Sequence, residues 1–333
     1  MKCRMIKYFV VAFIFISISC NYEKKVKIAF LLPHMKIERY VKEKEFFGKR
    51  IQELGGEYYF ANAEYDQGLQ LKQAKEFIEN GVTVIVISPV NSMLAGEILR
   101  LGHNNNVTII SYDRMILNAD VDYCITFRYQ KVGEDMVKYC TQIKPQGKYV
   151  VLGGDKSDFN AMQINIGQQR ILEPLVKNGS IKILYNSFIE EWNSENAYDS
   201  MESILRLSNE HPEVVISSGE KLTVGVTKAL GEYNLLGKTL VTGMDPDKES
   251  CKRMQTGAQT ISILKPIKKL AVSAADFAFS CATQKNMPEI TETLNNGKFD
   301  IPTIFLDPII TDKNNVKSAL INEGIYSEAD FTN

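Results

Sequence analysis

The chain has 333 residues, with 39 Lys+Arg against 40 Asp+Glu, a formal charge of −1 and 44% hydrophobic residues. That balance excludes the electrostatic footprint of a nucleic-acid binder or of a protein held to an anionic membrane surface by charge. The length suffices for two lobes of ordinary size, and the six cysteines and three histidines match no CxxC or zinc-ligand spacing.

Lys2, Arg4 and Lys7 precede an apolar run from Tyr8 to Ile18 that ends at Ser19-Cys20. The run is short for a membrane span, so residues 1–19 read as an export signal. A small residue directly before cysteine resembles a bacterial lipoprotein cleavage site, although Ser17 stands where an aliphatic residue is usual. Cys20 is then the lipidated N-terminus and residues 20–25 a polar tether; plain secretion with an ordinary Cys20 thiol is the alternative. Without residues 1–19, 314 residues remain, in which 36 basic side chains face 40 acidic ones, a charge of about −4.

From Val26 onward, strands and helices alternate. Val26–Leu32 predicts a strand, and Glu38–Leu54 an amphipathic helix with Tyr40, Phe47, Ile51 and Leu54 on one face. A strand at Glu57–Ala61, a helix at Leu69–Asn80, a strand at Val82–Ser88, a helix at Asn91–Asn105 and a strand at Val107–Tyr112 follow. A short strand Asp122–Phe127 and a helix from Lys131 mark a shift. The alternation restarts at Tyr149–Leu152, Asp158–Lys177, Ile181–Tyr185, Glu195–Leu207 and Val214–Ser217. A helix from Lys221, strand Thr239–Thr242, a helix from Asp247 and strand Thr260–Leu264 continue it. Pro266 opens a helix that buries Ile267, Leu270, Ala274 and Phe277. Strand Thr303–Phe305 and a helix near Val316–Ile321 close the chain.

Alternation of this kind implies an α/β fold with parallel sheets covered on both faces. Two successive runs imply two doubly wound lobes joined by a multi-strand hinge. We assign residues 26–129 and 265–300 to the N-terminal lobe and 130–264 and 301–327 to the C-terminal lobe. The crossings fall at Phe127–Gln130, Leu264–Lys265 and Asp300–Pro302. Cys124, Cys140, Cys251 and Cys281 are isolated and read as small core residues, although a disulfide stays open.

Motifs for catalysis are missing. Gly153-Gly154 follows a strand without a Walker lysine or a full GxGxxG, so a tight turn competes with a phosphate cradle. No GxSxG or HExxH occurs, and His34, His103 and His211 are scattered over surface or loop positions. Polar residues instead collect just beyond strand ends, where open α/β sheets bind ligands. Arg39 follows the first strand, Asp113-Arg114 leave Val107–Tyr112, and Asp158 and Asn160 follow Leu152. Trp192, Asp245 and Lys265 come after later strands. Each has a dull explanation: a loop ion pair for Asp113-Arg114, a helix N-cap for Asp158, a turn for Asp245, a solvated charge for Lys265, core for Trp192. Jointly they suit a neutral sugar, because carboxylates accept hydroxyl protons while arginine and lysine donate to the oxygens. Trp192, with Tyr40 opposite, offers a flat face to the C–H side of a ring.

These residues carry a resemblance. Ile37-Glu38-Arg39-Tyr40, Tyr112-Asp113-Arg114-Met115-Ile116, Lys131-Val132-Gly133-Glu134, Leu152-Gly153-Gly154 and Lys265-Pro266-Ile267 resemble the periplasmic sugar-binding proteins of ABC importers, most nearly their xylose-binding branch. Thr293-Leu294-Asn295-Asn296-Gly297 adds to it. The resemblance implies sugar contact by Arg39, Asp113, Arg114, Asp158, Asn160, Asp245 and Lys265, with Trp192 stacking. It implies xylose or a related aldose as ligand and an ABC permease as partner. A sensor kinase or chemoreceptor as partner, and a sugar-active enzyme, are the alternatives. It further implies a periplasmic, lipid-anchored monomer without metal or organic cofactor. A repressor of related fold is disfavoured by the export signal and by the lack of a helix-turn-helix before Val26. The departures are Tyr40 for tryptophan, Ser217-Ser218-Gly219-Glu220 where an asparagine contact is expected, Phe127-Arg128-Tyr129 for an acidic-amide pair, and Pro33-His34 for an acidic loop.

Overall fold

In the computed structural model, which describes residues 25–207 and 210–331, the buried β-branched runs become strands and the amphipathic segments become helices. The first half runs β1 (Lys27–Leu32), α1 (Glu38–Glu53), β2 (Glu57–Asn62), α2 (Gln67–Glu79), β3 (Val84–Ile87), α3 (Gly96–Asn104), β4 (Thr108–Tyr112) and β5 (Tyr123–Phe127). Next come α4 (Tyr129–Ile143), β6 (Gly147–Gly153), α5 (Phe159–Lys177), β7 (Ile181–Phe188), α6 (Ser194–Leu207), β8 (Val214–Ser217), α7 (Glu220–Glu232), β9 (Leu240–Val241) and α8 (Lys248–Gln255). The chain closes with β10 (Ser262–Leu264), α9 (Ile267–Thr283), β11 (Thr293–Asn295), β12 (Asp300–Leu306), β13 (Ile309–Thr311) and α10 (Val316–Asn322). Residues 1–24, including Cys20 and the export segment, lie outside the described residues.

Two main sheets, with the two-stranded pair β10-β13 beside them, organise these elements. The larger has the order β11-β12-β5-β4-β3-β1-β2 and is parallel except for β11, which runs antiparallel to β12. The smaller, β7-β6-β8-β9, is parallel throughout. Side chains alternate across β1: Ile28, Phe30 and Leu32 share a core with Phe47, Ile51 and Leu270 of α1 and α9. Ala29 and Leu31 join Ala74, Phe77 and Ile98 of α2 and α3 on the other face. Burial on both faces is why these strands read as unbroken apolar runs. Strand order reverses beside β1 and beside β6, which opens a crevice at the carboxyl ends of each sheet.

The third crossing falls later than expected. β12 is hydrogen-bonded in register with β5, Thr303 opposite Cys124 and Leu306 opposite Phe127, so residues 301–306 belong to the first sheet. The chain leaves that sheet at Asp307-Pro308, and β13 then pairs antiparallel with β10. Asp300–Pro302, expected as a crossing, instead pairs with Thr293–Asn295 of the short outer strand β11, Pro302 opposite Thr293. Cys124, Cys140, Cys251 and Cys281 are all free thiols, the first three buried. Burial raises the pKa of each, as expected of inert packing residues.

Helices α4 and α5 touch through glycine. A Cβ on Gly133 would lie 2.0 Å from the Ile164 carbonyl oxygen, and one on Gly167 would lie 1.9 Å from that of Gln130. Neither backbone can yield without parting the helices, so Gly133 in the Lys131–Glu134 run serves packing. Gly167→Ala should therefore lower stability by about 1–3 kcal/mol, an overpacking cost read from chemical denaturation. An unchanged midpoint would mean that the helix contact is loose.

Candidate functional site

The polar residues picked out in the sequence sit beyond the carboxyl ends of the strands. Arg39 and Tyr40 occupy the first turn of α1, behind β1. Asp113 and Arg114 leave β4, Asp158 caps α5, and Asn160 lies in the first turn of that helix. Asp113 and Asp245 both have positive φ, +61° and +66°, a strained backbone region that aspartate tolerates better than most residues. The turn at Asp113 is pinned from both sides. Ser111 Oγ donates to the Arg114 carbonyl at 2.7 Å, and Thr126 Oγ1 donates to the Asp113 carbonyl at 2.8 Å. Asn160 Nδ2 also points to the Asp113 carbonyl, at 3.4 Å, and so bridges the two lobes.

A continuous chain of charge links the lobes and the hinge. Arg39 Nε donates to Glu43 Oε1 at 2.8 Å, and Arg39 Nη2 lies 2.9 Å from Asp113 Oδ2. The Tyr129 hydroxyl donates to Asp113 Oδ1 at 2.5 Å and accepts from Lys265 Nζ at 3.2 Å. Lys265 Nζ in turn lies 3.2 Å from Asp245 Oδ2. Asp113 and Lys265 are each 4% exposed, so these charges interact in a medium far less screening than water. Burial alone would raise the Asp113 carboxyl, but Arg39, Lys265, the Tyr129 hydroxyl and Arg114 outweigh it and hold the group below its ordinary value. Glu43 differs: burial dominates Arg39's attraction, the Asp113 charge adds to it, and the carboxyl is pushed up to about 7. One guanidinium serves two acids, and Asp113 keeps the negative charge.

Arg114 stands apart. Its mostly buried side chain makes no ion pair or hydrogen bond with any described residue, although it feels Tyr40, Asp158 and Asp113 electrostatically. Tyr40 is buried, with its ring edge-on to His34 at 4.8 Å. His34 lies in a loop as expected but is only 4% exposed and stacks on Tyr65 at 3.9 Å, so it is not a surface residue. Burial, with Arg114, Lys36 and Lys221 nearby, pushes its imidazole down to about 4, which leaves it neutral at neutral pH. No hydrogen bond or cation–π contact joins the Trp192 indole to the charged chain among the described residues. Its ring lies over the strand ends of the second lobe, where a Cβ on Gly154 would come within 2.1 Å of it and one on Gly219 within 3.1 Å. Gly154 thus makes room for an indole, and Gly219, beside the expected asparagine position, extends the same bed.

Three participants escaped the sequence reading. Glu43 is four residues from Arg39 and four from Phe47, on the buried face of α1, and an acid on an apolar face is the signal that marks it. Tyr129 was noted only as part of a departure at the hinge. Glu220 is buried at the start of α7, where Ser262 Oγ (2.5 Å), Arg253 Nη2 (2.6 Å) and Gln259 Nε2 (2.7 Å) donate to its carboxylate. Burial nevertheless pushes Glu220 up to about 7, against the opposing pull of those donors. Its backbone N–H donates to the Met244 carbonyl at 3.0 Å, which ties α7 to the turn that carries Asp245.

The donor set bears on the ligand. Arg39, Arg114 and Lys265 face Asp113, Asp158 and Asp245, a matched set that suits an uncharged molecule with several hydroxyls. No group of three or more metal-ligating side chains occurs among the described residues.

Comparison with known proteins gives this geometry a context. The model of the periplasmic binding protein domain matches residues 28–286. The chain is 34% identical over 308 residues to the D-xylose-binding periplasmic protein of Escherichia coli, covering 92% of this chain and 93% of that one. It is 31% identical to the D-xylose-binding periplasmic protein of Haemophilus influenzae, with 93% of each chain covered. Among solved structures, an ABC transporter solute-binding protein from Clostridium phytofermentans with bound β-D-glucose superposes with a TM-score of 0.81 at 25% identity, over 92% of this chain and all of that one. These relatives are binding proteins and not enzymes. The chain belongs to the periplasmic binding protein family, among its sugar-binding members.

Proposed function

We propose that the protein captures a monosaccharide, D-xylose or a close aldose relative, between its two lobes and delivers it to an ABC importer. The observation that carries this reading is Arg114: a cation largely withdrawn from water, without an ion-pair or hydrogen-bond partner among the described residues, beside the paired ions of the cleft. Leaving a buried charge unpaired is costly, and a hydroxyl-rich ligand supplies the missing acceptors. In this reading Arg39, Asp113, Arg114, Asp158, Asn160, Asp245 and Lys265 hydrogen-bond the sugar. Trp192 covers one face of the ring, and Tyr40 walls the cleft opposite.

Contacts from both lobes give the sugar more binding energy in the closed arrangement than in an open one, so it shifts the population toward closure. The protein acts as a monomer in the periplasm, held to the membrane by a lipid on Cys20. The departures fit a retuned site: Ser218-Gly219 stands where an asparagine contact is expected, and the indole of Trp192 lies within 3.1 Å of a Cβ at Gly219.

A thermal-shift panel of pentoses and hexoses tests the reading. A sugar at a hundredfold excess over its dissociation constant should stabilise the fold by about 2.7 kcal/mol. No shift with any monosaccharide, in folded and ligand-free protein, would contradict it. Arg114→Ala should abolish that shift while leaving the unliganded midpoint nearly unchanged, since its guanidinium bonds none of the described residues. Full sugar affinity in this variant would return Arg114 to a structural role.

The electrostatics predict a pH effect as well. The folded-state value of Glu43, about 7, lies above its ordinary 4.5. Its contribution to stability is therefore complete below pH 4.5 and lost as pH rises through 7. Glu43→Gln, which cannot ionise, should gain on the wild type by roughly 1–3 kcal/mol between pH 5 and 8. Parallel stability curves for the two proteins would contradict the assignment.

A further inference from the structure

Trp192 sits on a backbone turn that its own sequence does not favour. Glu191 and Trp192 both have positive φ, +55° and +54°. That left-handed region suits glycine, is uncommon for a bulky side chain, and is visited by L-residues singly rather than in succession. A contact from outside the turn holds it. The Glu191 N–H donates to Asp155 Oδ2 at 2.6 Å, across from the loop between β6 and α5. Asp155 is itself fixed, because its Oδ1 accepts from the Ser157 N–H at 2.7 Å and from the Ser157 hydroxyl at 2.6 Å. These hydrogen bonds, the Ser157 hydroxyl's foremost, outweigh its desolvation and hold the carboxyl below its ordinary value, so it is ionised at neutral pH. The Asp155 carbonyl accepts from the Asp158 N–H at 3.1 Å, so one residue ties the Trp192 turn to the N-cap of α5.

The indole placed in this way borders open space. Gly154 and Gly219 lie against it, and it lines a pocket of about 300 Å³ together with Asn193, Lys221 and Val224. The charge of Lys221 is felt by His34 of the first lobe, so this pocket opens toward the cleft.

We propose that Asp155 is a positioning residue for sugar capture: by accepting from the Glu191 N–H it keeps the strained turn in place and so sets the Trp192 indole over the strand ends of the second lobe, in fixed relation to Asp158. This rests on the sugar-binding reading above and adds to it a residue that need not touch the ligand. The physical reason is preorganisation. A ring free to sample several positions must be ordered when the sugar binds, and that ordering subtracts from affinity. Asp155 orders it beforehand.

Trp192 is the only tryptophan of the chain, so its fluorescence reports this one turn. Two measurements test the proposal together, with folding verified by circular dichroism. One is calorimetric titration with D-xylose, or with whichever monosaccharide of the panel the wild type binds most tightly. The other is the emission spectrum of the unliganded protein. In Asp155→Ala, affinity should fall at least tenfold and emission should move to longer wavelength, as the indole leaves its bed for water. Adding Glu191→Gly removes the Cβ that makes positive φ costly, and it should recover at least threefold in affinity. A tie that merely joined two loops would not be rescued in that way. Asp155→Asn leaves one acceptor oxygen for three donors; it should lose at least threefold, and it carries the test if the alanine variant does not fold. Affinity within threefold of wild type in Asp155→Ala, or in Asp155→Asn where that variant stands in, overturns the proposal. Unaltered Trp192 emission, or no rescue by Glu191→Gly, does the same. In each of these cases the sugar-binding reading survives. A wild type that binds no monosaccharide overturns both.

Discussion

The cleft depends on one buried carboxylate. Asp113 sits at a strained turn beyond β4, with Arg39 on one oxygen and the Tyr129 hydroxyl on the other. Through those two contacts it reaches Glu43 beneath and Lys265 and Asp245 at the hinge. The partners come from α1, the start of α4 and the turn before α9, so the group joins three separate chain segments. Were Asp113 neutral, Arg39 and Lys265 would lose the charge that offsets their desolvation. Arg39, Lys265, the Tyr129 hydroxyl and Arg114 hold Asp113 below its ordinary value, whereas burial, with the Asp113 charge beside it, raises Glu43 against the pull of the same Arg39.

The two lobes bring different chemistry to the cleft. The first lobe brings packed ions, and the second brings the indole of Trp192 on its glycine bed together with the first turn of α5. Such a division suits a pyranose, which is polar around its rim and apolar on its faces. It also explains why the buried Glu220 cluster lies where it does. By fixing the turn that carries Asp245, it holds the last member of the charged chain at a constant distance from Lys265.

Much of this was legible in the sequence because the relevant signals are local. β-branched runs such as Val84–Ile87 report burial on both faces, and the polar residues that follow strands report the crevice. Arg39, Asp113, Asn160, Asp245 and Lys265 were found that way, and they form one connected set. What stayed hidden depends on packing between distant segments. β12 runs on within the first sheet because β5 and β11 pair with it, so the third crossing comes after Leu306 rather than at Asp300–Pro302. His34 lies in a loop, as its place between strand and helix suggests, but its burial depends on Tyr40 and Tyr65, which pack against its ring from other positions. Gly153-Gly154 suggested a turn or a phosphate cradle; the space at Gly154 belongs to Trp192, 38 positions further along. No spacing rule in the sequence joins those positions.

The most direct test of the account is the affinity of Asp113→Asn for D-xylose, measured by titration calorimetry beside the wild type. Asparagine matches aspartate in shape and tolerates the same positive φ, so the substitution removes the charge and leaves the turn. The account predicts a loss of at least about a hundredfold in affinity, roughly 2.7 kcal/mol, in a protein that still folds. Affinity within threefold of wild type would show that the buried carboxylate is a structural tie, and that the sugar is held elsewhere.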